Sequence, residues 1–304
     1  MSNATELIRQ GKELLRTLHL QDAKQRFAEA LALDPNSLDA KTELARIALI
    51  QGEPKICIAI ANDVLSSQAN SGDTLAIRGA ALMLLKKWDE AKETLERARE
   101  LDPNLATTHL NLARCLRELK NYGEAEMAIN KAMELTPEDF QVRTERSYIY
   151  AQTGRIKEGI EDLLSAIRIN PYFLSGYTIL GSLYKTADSP DIAIAIFKKG
   201  LLHLPNALIL HEELCELYAE KNDFISACRH ASEIVRKRNQ AVDFLRLCLY
   251  AFAAKRNDIA EKAISRALSL TPEREAVRHE LRAIKLPQSR AEIYEEAEKL
   301  LATI

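Results

Sequence analysis

His211 and Cys215 lie four residues apart, a spacing that sets a nitrogen and a sulfur ligand on one face of a helix. Zinc would ask for three or four such ligands, and no companion pair stands near in sequence. Cys228 and His230 fall on a neighbouring helix and point to different faces. The pair therefore reads as packing. The five cysteines, Cys57, Cys115, Cys215, Cys228 and Cys248, are odd in number and form no CxxC. That points to free thiols in a reducing, cytoplasmic compartment. Tyr150, Tyr184 and Tyr218 recur every 34 residues and read as a core ladder. No phosphate loop, dinucleotide fingerprint, HExxH or nucleophile elbow is present. With 28% charged residues, neighbouring carboxylates are a solvated face and not a general acid and base. The expectation is a non-enzyme with no metal and no cofactor.

The elements that carry these residues are helical. Gly 10 and Pro 9 make 19 of 304 residues, about half the usual share of roughly 12 per cent. So few turn-formers leave little room for hairpins. Lys+Arg 42 against Asp+Glu 44 gives a net charge of −2, without the basic excess of a nucleic-acid binder. No apolar run reaches the length of a membrane span, and MSNATELIRQGK holds no apolar signal core. Length alone suggests two domains at roughly 150 residues each.

Pro35, Pro103, Pro137, Pro171, Pro205 and Pro272 are spaced by 68, 34, 34, 34 and 67 residues. With proline at position 32, eight repeats start near 4, 38, 72, 106, 140, 174, 208 and 241. Position 8 is then small throughout: Gly11, Ala45, Gly79, Ala113, Ser147, Gly181, Cys215, Cys248. Position 20 is small from Ala23 to Ala260, and position 27 is mostly so. Large apolar residues hold position 11 (Leu14, Leu82, Leu116) and position 24 (Phe27, Leu95, Phe197). Small residues at fixed places on successive helices let two axes approach closely. Ser189, before Pro190, reads as a helix N-cap.

This pattern resembles the tetratricopeptide repeat, over residues 4 to 274. The resemblance implies an all-α, right-handed α-solenoid of antiparallel helix pairs, one elongated body and not two domains. It departs from the family where position 4 is rarely aromatic and where the second and seventh repeats lack the proline. Residues 275 to 304 break the register. Glu275 to Lys285 reads as one more helix stopped at Leu286-Pro287, and Ser289 to Ile304 as its partner, a capping pair.

The resemblance also implies a concave groove for a protein or peptide partner, lined by positions 2, 5, 9 and 12 of the first helices. On that stripe Lys12, Arg46, Arg114 and Arg117 are expected to meet acidic groups of a partner peptide or helix. Asn111 is expected to hydrogen-bond its backbone, and Ile77, Leu110 and Tyr148 to supply apolar contact. The family's carboxylate clamp is missing, because no repeat has Lys at position 5. In the eighth repeat the stripe is apolar: Val242, Leu245, Leu249 and Phe252. Either the cap helix covers it or it is a self-association surface giving a homodimer. The functional expectation is a protein-binding scaffold or adaptor, or else a repeat arm or regulatory subunit of a larger enzyme or secretion assembly. RNA binding is disfavoured by Glu212, Glu213, Glu216 and Glu220 on one helix.

Overall fold

A computed structural model describes residues 3–286 and 291–304. Pro287 and Ser289, expected at the last break and the start of the last helix, lie outside the described residues. The chain groups into two compact units, Met1–Ile169 and Asn170–Ile304. The first unit comprises α1 (Asn3–Arg16), α2 (Leu20–Leu33), α3 (Leu38–Ile50), α4 (Pro54–Ser67), α5 (Gly72–Leu84), α6 (Trp88–Leu101), α7 (Ala106–Glu118), α8 (Tyr122–Leu135), α9 (Phe140–Gln152) and α10 (Ile156–Ile169). The second comprises α11 (Leu174–Thr186), α12 (Pro190–His203), α13 (Leu208–Glu220), α14 (Phe224–Lys237), α15 (Ala241–Ala253), α16 (Asn257–Leu270), α17 (Arg274–Ala283) and α18 (Ala291–Thr303). The described residues are all-α, and each unit is a stack of antiparallel helix pairs of the solenoid class.

Within each pair the small column receives the large one. A Cβ built on Gly11 would stand 2.6 Å from the Phe27 ring, one on Gly79 2.6 Å from Leu95, and one on Gly181 2.1 Å from Phe197. Those three large side chains are fully buried. Glycine is needed there for approach and not for backbone freedom.

The turn inside each of the eight pairs has one geometry. The residue at position 15 takes a left-handed φ every time: Leu18, Gly52, Lys86, Lys120, Gly154, Asp188, Asn222 and Lys255. The next backbone N–H bonds back to the carbonyl at position 11, as in Asn121 to Leu116 at 2.8 Å and Asp223 to Tyr218 at 2.8 Å. This is the Schellman ending, which satisfies carbonyls that a helix C-terminus leaves open. Only two of the eight residues are glycine, so six carry a Cβ in a region that disfavours it.

The joints between pairs are tied from position 4. The His109 ring nitrogen Nε2 donates to the Pro103 carbonyl at 2.8 Å, Arg143 to Pro137 at 2.8 Å, and the Tyr177 hydroxyl to Pro171 at 3.1 Å. In these joints position 4 carries a hydrogen-bond donor aimed at the carbonyl six residues back. Ser189 does stand before α12, but its hydroxyl bonds the Ala187 carbonyl at 3.3 Å and caps nothing. Pro190 at the first turn supplies that helix start instead.

Two substitutions in these columns should move stability in opposite directions. Lys120→Gly is expected to raise it by roughly 0.5–1 kcal/mol by relieving the left-handed residue. Gly181→Ala should lower it by roughly 2 kcal/mol through overpacking against the Phe197 ring. Urea denaturation of both variants checks the pair of signs.

Candidate functional site

The inner stripe of the first unit is built from charge laid across successive first helices. The Lys12 ammonium on α1 is 3.6 Å from Glu43 on α3. Arg46, one turn on, bonds Glu43 at 3.0 Å and Asp73 of α5 at 2.6 Å. On α7, Arg114 and Arg117 converge on Glu145 of α9 at 3.5 and 2.6 Å. Arg117 also pairs with Glu118 at 2.7 Å, and its guanidinium sits 5.4 Å from the centre of the Tyr148 ring. The Glu145 side chain is only 5% exposed. Burial works against the charge on Arg117, but the Glu145 carboxylate beside it more than offsets that and raises its pKa. The Tyr148 hydroxyl is pushed up by burial and then by the Glu145 charge.

The arginines are therefore not open groups awaiting a partner's carboxylate; each already holds an acid of the next pair. Those acids, Glu43 and Glu145, were absent from the expected site. Their signal was in the sequence, as an acid at position 6 one repeat after a base at position 9 or 12. Two expected contact residues also move. Ile77 is 3% exposed and Leu110 5% exposed, each packed in a core cluster. They hold helices together and offer a partner little surface, because their columns turn toward the neighbouring pair. Asn111 is half-buried beside them.

The second unit repeats the motif once. Lys185 of α11 bonds Glu213 of α13 at 2.7 Å. Arg238 grips Asp243 through two bonds of 2.7 and 2.8 Å and reaches Glu212 at 2.6 Å. On α15, Leu245 and Leu249 are fully buried, Phe252 is half-buried, and Val242 is 37% exposed. The two leucines therefore leave the expected self-association face: α17 and α18 pack on α15.

His211 pairs with His230 and not with Cys215: their Nδ1 atoms are 3.0 Å apart, and Tyr218 stacks on the His230 ring. His211 also bonds the Pro205 carbonyl. A carbonyl only accepts, so the other ring nitrogen of His211 carries a proton and its Nδ1 accepts from His230. Both rings are neutral in this arrangement. Burial, then the His211 charge, lowers His230 to about 4. Among the described residues no group of three or more His, Cys, Asp or Glu could hold a metal. The Cys215 thiol faces the Ala227 carbonyl at 3.4 Å, and burial pushes Cys57 up to about 11 and Cys248 up to about 12. Thiols so held are poor nucleophiles.

Models of the tetratricopeptide repeat match residues 8–55, 71–138 and 140–173. An Hsp70-Hsp90 organizing protein of Triticum aestivum is 28% identical over 165 residues, 54% of this chain and 27% of its own length. The Protein O-mannosyl-transferase TMTC3 of Homo sapiens is 28% identical over 297 residues, 89% of this chain and 32% of its own length. The chain thus spans less than two thirds of the curated relatives it matches. Among solved structures, a chain of the APC/C hetero-tetramer Cut9-Hcn1 superposes with a TM-score of 0.58 at 18% identity, over 91% of this chain and 55% of that one. No helix among the described residues is long and apolar enough to cross a membrane.

Removing one partner of a buried ion pair strands the other. Arg117→Gln should cost about 2 kcal/mol, since Arg114 still faces Glu145, and adding Glu145→Gln should recover most of it. Thermal unfolding of the two variants reads this out, and an unchanged Arg117→Gln midpoint would contradict it. The histidine pair makes a pH prediction. The folded chain refuses a proton that the unfolded chain takes up near 6.5, so the stability is whole above pH 6.5 and drains as pH falls toward 4. The loss is expected to be about 2 kcal/mol after allowing for partial exposure. His230→Gln should flatten that slope in denaturation curves taken at pH 7 and pH 4.5.

Proposed function

Because the chain belongs to the tetratricopeptide-repeat family, we propose that it is a non-catalytic adaptor that holds a partner's peptide or helix on the inner stripe of its first unit. The observation that carries this reading is Asn111. Its half-buried amide carries both a donor and an acceptor and can exchange water for the backbone of a bound peptide. Around it, Lys12, Arg46, Arg114, Arg117 and Tyr148 supply donors and an aromatic face. Their pairing to Glu43, Asp73 and Glu145 sets their rotamers in advance, so less side-chain entropy is lost on binding. Net charge on the stripe is then close to balanced. The partner segment this suits is mixed, with an apolar residue toward Tyr148 and single carboxylates near the arginines, and not a uniformly acidic run.

Two relatives are in keeping with adaptor work: one bears the name of an organizer of two chaperones, and the other belongs to a multi-subunit assembly. A second reading is a repeat arm of a larger enzyme or assembly. It rests on the likeness to a transferase across 89% of this chain and 32% of that protein. A homodimer through the C-terminal region has less to stand on now that Leu245 and Leu249 are buried.

The test begins by identifying bound proteins after affinity purification and mapping the bound segment. Asn111→Ala should then weaken that segment roughly tenfold by calorimetry, the worth of a hydrogen bond left unmade, with the melting temperature unchanged. Equal affinity for the variant and the parent would remove the first unit's stripe as the binding face.

A further inference from the structure

The second helices of the pairs carry a stripe at positions 18, 22, 25 and 29, which share one helix face at about 100° per residue. In most pairs the stripe is mixed or nearly uncharged, as with Gln21, Gln25, Ala28 and Ala32 of α2. Two helices depart from this in opposite directions. On α6 it reads Asp89, Glu93, Glu96 and Glu100, an acid at every place. On α14 it reads Ile225, Arg229, Ser232 and Arg236, two bases and no acid. None of the other six second helices shows either pattern.

Folding leaves these charges at the surface. Asp89, Glu93, Glu100, Arg229 and Arg236 are all exposed. Glu96 lies 3.8 Å from Lys92, and Arg236 lies 3.0 Å from Glu233 with its side chain 71% exposed. Pairs held so loosely are worth little and exchange partners readily. A cleft of about 300 Å³ between α14 and α16 is lined by Ile225, Arg229 and Arg236 and adds a third base, Arg256. Each stripe also has a large apolar side chain at hand. Ile225 is 61% exposed, and Met127 of α8, 67% exposed, shares a cleft with Glu96 of α6. The spacing matches as well as the sign. Arg229 and Arg236 stand seven residues apart, as do Glu93 and Glu100, so each couple spans about 10 Å of its helix.

We propose that the partner of the α14 stripe is a second copy of this chain. Arg229 and Arg236 of one copy meet Glu93 and Glu100 on α6 of the next, and the contact covers Ile225 and Met127 at its edge. The net charge of −2 is small, so two copies repel little and the local attraction decides. The two stripes differ, so the contact is head-to-tail and each copy keeps one stripe for a further copy. Built from exposed charges, it is weak and sensitive to salt. It uses neither the inner stripe of the first unit nor Val242 and Phe252, and it does not depend on the adaptor reading.

The test is sedimentation velocity on the full chain. At about 0.05 M salt the mass should grow with concentration past the dimer, and about 0.5 M salt should return the monomer. Arg229→Glu with Arg236→Glu makes both stripes acidic, and Glu93→Arg with Glu100→Arg makes both basic. Each double variant should associate about tenfold more weakly than the parent, or worse. Mixing the two should restore association, and so should one chain carrying all four reversals. Contact through an unrelated surface, or damage to the fold, would give neither rescue. The proposal is overturned if the parent stays monomeric at low salt, or if its association survives either reversal. It is equally overturned if the mixture and the fourfold variant stay monomeric.

Discussion

The close approach of two helices, permitted by a residue with almost no side chain, underlies everything else in this molecule. Gly11, Gly79 and Gly181 leave room for Phe27, Leu95 and Phe197, and alanine, serine or cysteine stands at that place in the other pairs. Once the axes are that close, the turn between them has few solutions. The Schellman ending with a left-handed residue at position 15 is adopted eight times, even where the residue is Leu18 or Lys86. Tertiary packing there overrides a local preference of about 1 kcal/mol.

A pair so built presents its first helix to the next pair in a constant register, and the electrostatics follow from that. A base at position 9 or 12 meets an acid at position 6 of the next pair's first helix, as in Arg117 with Glu145 and Lys185 with Glu213. These contacts are half-buried or deeper, so they constrain rotamers more than exposed pairs would. They turn a row of long, mobile side chains into a preset surface. A scaffold protein benefits from such a surface, because less freedom is lost when a partner arrives.

The last two helices break this rule, and the break follows from composition. The eighth first helix carries Val242, Leu245, Leu249 and Phe252, an all-apolar set, where every other pair includes at least one charged or polar residue. A charged neighbour cannot sit on that stripe, and an apolar one must. α18 answers with Ile293, Ala297 and Leu301, which draws it onto α15 and away from the hairpin partner's place on α17.

The sequence by itself determined the helical class and the 34-residue unit. Each of those is written in a column that repeats eight times, and repetition averages out the noise of any single position. It also marked Lys12, Arg46, Arg114, Arg117, Asn111 and Tyr148 on the inner stripe. It did not reveal that Glu43 and Glu145 answer the arginines, that Ile77 and Leu110 belong to the core, or that His211 faces His230. Those are contacts between pairs, set by the angle at which one hairpin stacks on the next. A period in the sequence carries no such angle; only the packed side chains decide it.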